Sequence, residues 1–150
     1  MDAPQCCIFV PCYNVERFVE NTIRRVRWDD LPRELTYRVV LVGNDSAAGT
    51  WERIQSCLRF LKAIGVAADA IRNPVNLGYG GSNKVIFDYG LVHDIDVVAI
   101  LHSDGQYLPE ELPRLLREFL ARPDCALFYG SRIGGNPLQG GMPLYKYLAN

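Results

Sequence analysis

Neither sign of charge dominates the 150 residues: sixteen Lys and Arg stand against seventeen Asp and Glu. That balance excludes nucleic acid or a strongly anionic surface as the main partner, so any phosphate binding must be local. The five cysteines, Cys6, Cys7, Cys12, Cys57 and Cys125, make no CxxC pair and no zinc spacing. Their odd number fits poorly with a disulfide framework and points to a reducing setting. Cys6, Cys7 and Cys125 fall in apolar, strand-like runs, where a thiol behaves as a small buried hydrophobe. Cys12 stands apart, beside a polar loop. Apolar runs such as residues 97–101 fall far short of the roughly 20 residues that a spanning helix needs. Residues 1–5 lack the basic and apolar blocks of a secretory signal, so the predicted location is cytoplasmic.

What is present is an alternation. Residues 6–10 form a β-branched and aromatic run stopped by Pro11, a buried first strand. Val15, Phe18, Val19, Ile23 and Val26 then recur at helical spacing over residues 15–28. A second strand is predicted at 37–42 and a second helix at 50–64, with Thr50 as its cap and Trp51, Ile54, Leu58 and Leu61 on its apolar face. A weaker third strand at 66–71 leads through a glycine-containing loop, 76–81, into a helix at 82–92. A fourth strand follows at 97–101, a helix at 109–120 with Pro109, Glu110 and Glu111 in its first turn, and a fifth strand at 126–129. Strands alternating with helices of this length predict an α/β fold with a mostly parallel sheet covered by helices on both faces. Residues 134–150 read as a Gly/Pro-rich loop and the start of a helix, set apart from a domain over 1–133 and interpreted as the beginning of a truncated acceptor region.

In such sheets ligands bind beyond the carboxyl ends of the strands, where loops and helix N-termini converge. Four polar clusters fall there: Pro11-Cys12-Tyr13-Asn14, Gly43-Asn44-Asp45-Ser46, His102-Ser103-Asp104-Gly105-Gln106 and Gly130-Ser131-Arg132. The literal Asp-x-Asp at Asp94 and Asp96 precedes a strand and belongs at the opposite end, as a solvated turn. Asp104 and Gln106 offer oxygen ligands suited to Mg²⁺ or Mn²⁺, and His102 adds an imidazole on the same side of an extended segment. The alternatives are that Asp104 initiates a turn and that His102 bonds a backbone group.

Five segments in order resemble the family 2 glycosyltransferases of GT-A fold, which transfer sugars from nucleotide diphosphate donors. They are residues 11–18, 42–50, 73–81, 104–110 and 130–132. The last three are similar to the polyprenyl-phosphate, dolichol-phosphate mannose synthase-like branch. The resemblance implies that Pro11, Tyr13 and Asn14 line the base and ribose pocket. It also implies that Asp104 and Gln106 hold the metal and that Arg132 faces the donor phosphates, with Ser103 beside them. Asp104 and Arg132 would then carry the catalysis. The usual paired aspartates after the second strand are Gly43 and Asn44 here, with Asp45 displaced by one. His102 takes the place of the first aspartate of the metal motif, which predicts a preference for Mn²⁺ over Mg²⁺.

The resemblance implies inversion and a polyprenyl-phosphate acceptor reached by peripheral contact with the inner face of a membrane. The rim offers no convincing carboxylate base, as expected either for an acceptor that is already ionised or for a base that lies beyond Asn150. A second reading is a truncated or degenerate chain that binds nucleotide sugar without transfer. A nicotinamide-binding domain is the weakest, because Gly78-Tyr79-Gly80-Gly81 follows the third strand and lacks GxGxxG spacing.

Overall fold

β1 (Gln5–Cys12) is an apolar octapeptide buried along nearly its whole length, as a strand must be when both faces of its sheet are covered. In the computed structural model, which describes residues 3–46 and 48–130, it pairs in parallel with β2 (Thr36–Asn44) on one side and β4 (Val97–Ile100) on the other. β3 (Ala67–Asn73) continues the sheet beyond β2, giving the order β3-β2-β1-β4. α1 (Val19–Arg25), α2 (Ala48–Ala63), α3 (Gly78–Val92) and α4 (Leu112–Leu120) are the connecting helices.

Alternation along β1 divides the core into two layers. Cys6, Ile8, Val10 and Cys12 join Val39 and Leu41 against Val19 and Ile23 of α1, Ile54 and Leu61 of α2, and Leu112 and Leu116 at the start of α4. Cys7, Phe9, Val40 and Val42 point the other way, onto Ile86 of α3. The expected two-sided cover is therefore present, with three helices on one face and one on the other. β1 also runs through Pro11 rather than ending before it. Pairing with β4 stops at Phe9 opposite Ile100, so Pro11 sits where β2 alone flanks the strand and its missing N–H interrupts no ladder on the β4 side.

Several boundaries differ from expectation. The first helix covers only Val19–Arg25 of the predicted 15–28; Val26 is extended and a 3₁₀ turn follows at Trp28–Asp30. Its apolar stripe is nonetheless buried except for Phe18. Thr50 does not cap α2 but lies inside its first turn, wholly buried. Its Oγ1 accepts from Val15 N at 3.2 Å and donates to Glu16 Oε2 at 3.1 Å, fastening the segment that leaves β1. α3 begins at Gly78, so the glycine segment is the helix's opening turn and not a preceding loop.

Among the described residues the fifth strand is not formed: 126–129 pair with no described strand, Leu127 and Tyr129 are each more than three-quarters exposed, and β4 is the sheet edge. The segment is held by local contacts, with Cys125 Sγ donating to Leu127 O at 3.1 Å and the Arg122 guanidinium over the Phe128 ring. Apolar, aromatic composition satisfies a strand's preference without supplying a partner. Cys125 is correspondingly half-buried and not a core residue. Arg132, Ser131 and the region 134–150 lie outside the described residues. Among the described residues no helix is long and apolar enough to cross a membrane.

Candidate active site

Two non-glycine residues with left-handed backbone, Asn14 at φ 52° and Asp45 at φ 52°, turn the chain as it leaves β1 and β2. Asn and Asp tolerate that region better than other side chains. Ser46 joins the two turns: its Oγ donates to Cys12 O and accepts from Asn14 N, each at 3.2 Å. After β4, Ser103 closes the opposite side by donating from Oγ to Pro11 O, while its own carbonyl accepts from Thr22 Oγ1 at 3.1 Å. The loops after β1, β2 and β4 thus meet on one rim, as strand polarity requires. Asp96 lies at the other end, where its Oδ2 accepts from Gln5 N at 2.8 Å.

On this rim the candidates divide by exposure. Tyr13, Asn14, Asp45 and Gln106 are exposed, and Pro11, His102 and Asp104 are half-buried. Ser103 and Asn44 are each 4% exposed and bonded to protein groups. Asn44 Oδ1 accepts from Leu77 N at 2.9 Å and Asn73 Nδ2 at 3.1 Å, and its Nδ2 donates to Asn76 Oδ1 at 2.7 Å. Asn76 Oδ1 also accepts from Gly78 N at 2.8 Å. Gly43 faces α2: a Cβ there would stand 3.2 Å from Trp51 Cε3 and 3.3 Å from Ile54 Cδ1. The indole and Ile54 occupy the space an aspartate side chain would need.

Asp104 does initiate a turn, its Oδ1 accepting from Gln106 N at 3.0 Å, with Gly105 at φ 70°. Gly105 packs close to α1, since a Cβ would lie 3.4 Å from Thr22 Oγ1 and 3.7 Å from Arg25 Nη1. Arg25 reaches past it to Glu110 and lowers that carboxyl below its usual range, chiefly by hydrogen bonding. His102 stands against aromatic rings. Its Nε2 is 3.4 Å from the Tyr79 hydroxyl, and its ring centroid is 5.6 Å from that of Tyr79 and 4.6 Å from that of Tyr107.

Among the described residues no three His, Cys, Asp or Glu side chains assemble into a metal cage. The Asp104 carboxylate on an open rim suits a different arrangement, an ion shared between it and the oxygens of a phosphate-bearing ligand. Cys12 has no part in this chemistry. It is buried, its Sγ donates to Val10 O, and burial first, then the nearby Cys57, pushes its pKa far up.

A groove of about 880 Å³ between α1 and α2 contains none of the rim residues above. Glu20, one of its lining residues, pairs with both Arg24 and Arg53, so that carboxylate's charge is largely internally compensated. Thr22, Asn73, Asn76, Tyr79 and Arg25 are the site-building residues not singled out from sequence. Asn73, Asn76 and Tyr79 lie inside the Asn/Gly-rich segment; Thr22 and Arg25 sit on a helix and carry no local sign of their role.

The family model described as "Glycosyl transferase family 2" matches residues 7–146. The chain is 26% identical to the dolichol-phosphate mannosyltransferase of Pyrococcus furiosus over 94% of its own length and 37% of that protein, so it spans little more than a third of this relative. The crystal structure of S. aureus TarS 1-349 is similar with TM-score 0.55 at 16% identity, over 87% of this chain and 40% of that one. Its complex with UDP gives 0.53 at 17% identity, over 88% and 40%. The mannosyltransferase PcManGT from Pyrobaculum calidifontis, in complex with GDP-Man and Mn2+, gives 0.49 at 19% identity, over 69% and 28%. The TarS likeness is one of fold, and that fold is the α/β class that the strand–helix alternation predicted and the GT-A class that the family resemblance implied.

Proposed function

Because the chain belongs to glycosyl transferase family 2, we propose that it carries the donor-binding half of an enzyme that moves a sugar from a nucleotide diphosphate to a polyprenyl phosphate. The observation that carries this reading is the family match over nearly the whole chain, combined with a rim on which Asp104 lies among the ends of β1, β2 and β4. The name of the Pyrococcus furiosus relative supports a mannosyl donor and a lipid-phosphate acceptor.

Tyr13 and Asn14, exposed beside the exposed Asp45, would border the base and ribose, with the Pro11 backbone forming the floor. Asp104 would hold Mn²⁺ or Mg²⁺ together with the donor's diphosphate. A bound ion supplies charge stabilisation where the departing nucleoside diphosphate becomes more negative. Arg132, beyond the described residues, is proposed to grip the same phosphates with its guanidinium fork. A phosphate acceptor is already ionised, so transfer with inversion needs no protein base on this rim. The proposed place of this work is the cytoplasmic surface of a membrane.

The test is a thermal-shift panel of UDP-, GDP- and dTDP-sugars with Mn²⁺, since a donor that binds the folded chain raises its melting temperature. At least one is expected to do so, and silence from all three would remove the donor site. A second reading, donor binding without transfer, is favoured by one observation: Asn44, where the family usually has an acid, is consumed by protein contacts. Turnover of labelled donor with a polyprenyl phosphate separates the two.

A further inference from the structure

Two of the three positions at which this rim departs from the acidic family pattern, Asn44 and His102, touch the same short stretch of chain. Asn44, at the end of β2, binds Leu77 N and Asn76 Oδ1, and Asn76 Oδ1 in turn binds Gly78 N. His102, just past β4, lies against Tyr79 in the next position. β2 and β4 are the two neighbours of β1, so residues 76–79 are fastened on both sides of its carboxyl end. Glycine makes the crossing possible. Gly78 adopts φ 67°, and a Cβ on Gly81 would fall 2.5 Å from Leu77 Cβ.

The chemistry at each anchor calls for a group that a carboxylate lacks. Two backbone N–H groups, from Leu77 and Gly78, demand an oxygen from Asn44 and from Asn76 respectively. The remaining contact between the two side chains, at 2.7 Å, then needs a donor, which is the Asn44 amide nitrogen. An ionised aspartate in place of Asn44 would set two acceptors face to face. At the other anchor the imidazole offers a flat ring to Tyr79 and Tyr107, with a nitrogen toward the Tyr79 hydroxyl.

We propose that Asn44 and His102 are positioning residues, which strap the start of α3 across the rim and supply no ligand to donor or metal. The donor part of this inference rests on the reading of the rim as a donor site; the fastening itself does not. It replaces the expectation of an imidazole–Mn²⁺ bond with a packing role.

Three measurements on the 150-residue chain test it. The first needs no donor: melting temperatures of Asn44→Asp, Asn76→Ala and the double variant. The losses are expected to be non-additive, because Asn44→Asp repels an oxygen that Asn76→Ala has already removed. Additive losses, or none, overturn the strap while leaving the family reading untouched. The second is donor affinity of Asn44→Asp at a temperature well below melting, expected to weaken about threefold or more. Unchanged or tighter binding overturns the positioning role, tighter binding marking Asn44 as a displaced donor contact. The third is His102→Phe, which keeps the ring and removes both nitrogens. Its ratio of donor affinities with Mn²⁺ and with EDTA is expected to match the parent chain, whereas a fall of about tenfold would mark His102 as a metal ligand. A parent chain that binds no donor fails the functional reading, and the melting cycle still decides the strap.

Discussion

Arg25 holds Glu110 with two parallel bonds, Nε to Oε1 at 2.7 Å and Nη2 to Oε2 at 3.0 Å. Eighty-five residues separate them in sequence, and the pair joins the last turn of α1 to the 3₁₀ turn Pro109–Glu111 that follows the Asp104 loop. Both side chains are about one-third exposed, so the pair orders the loop more than it stabilises the fold.

Because Glu110 is lowered in the folded chain, the sign of its pH dependence follows. Its contribution is complete above the unfolded carboxylate value of about 4.3 and is lost as pH falls through the lower folded value. Glu110→Gln is expected to melt below the parent chain at pH 7, with the gap closing as pH drops from about 5 to about 3. Melting curves across that range check it, and a constant gap would assign the loss to packing.

Gly43→Asp tests why the first acid of the family pattern is missing. The new side chain would meet Trp51 and Ile54 and carry a carboxylate into a buried position. The expected loss is about 2 kcal/mol or more, readable by urea unfolding. Pairing it with Trp51→Ala, which clears the space, should recover part of that loss.

Asp104→Asn keeps an oxygen for the Gln106 N–H and removes the charge. Donor-free melting should therefore hardly change, while donor affinity in Mn²⁺ falls about tenfold or more. Isothermal titration measures the second quantity, and equal affinity would take the ion away from Asp104.

Thiol chemistry should follow burial. Desolvation pushes Cys6 to about 12, Cys7 to about 11 and Cys57 to about 12, and raises Cys12 further. A disulfide reagent at pH 8 should label Cys125 in the native chain and all five cysteines after denaturation. Rapid native labelling of Cys12 would contradict its place in the core.

Much of this was legible in the residues alone, and for one reason. Strand and helix periodicities are local, so 6–10, 37–42 and 97–101 reveal strands whose carboxyl ends must share a rim once the sheet is parallel. That polarity placed Asp104 on the rim and sent Asp96 to the opposite end before any contact was known. Residues 126–129 mark the limit, because a strand is defined by a partner that composition does not name.

By itself, then, the sequence determined the alternating α/β plan, the family and the polar clusters that end the strands, all of which depend on the order and spacing of neighbours along the chain. Tertiary structure alone decided what those polar groups do. Ser103 and Asn44 have side chains suited to a ligand, yet both are spent on the scaffold. Thr22 and Arg25, ordinary residues on a helix, build the Asp104 loop. A side chain's chemistry is written in its residue type, but whether a hydrogen bond goes to a ligand or to the protein depends on groups brought near from 30 to 90 residues away, roughly the separations of these contacts.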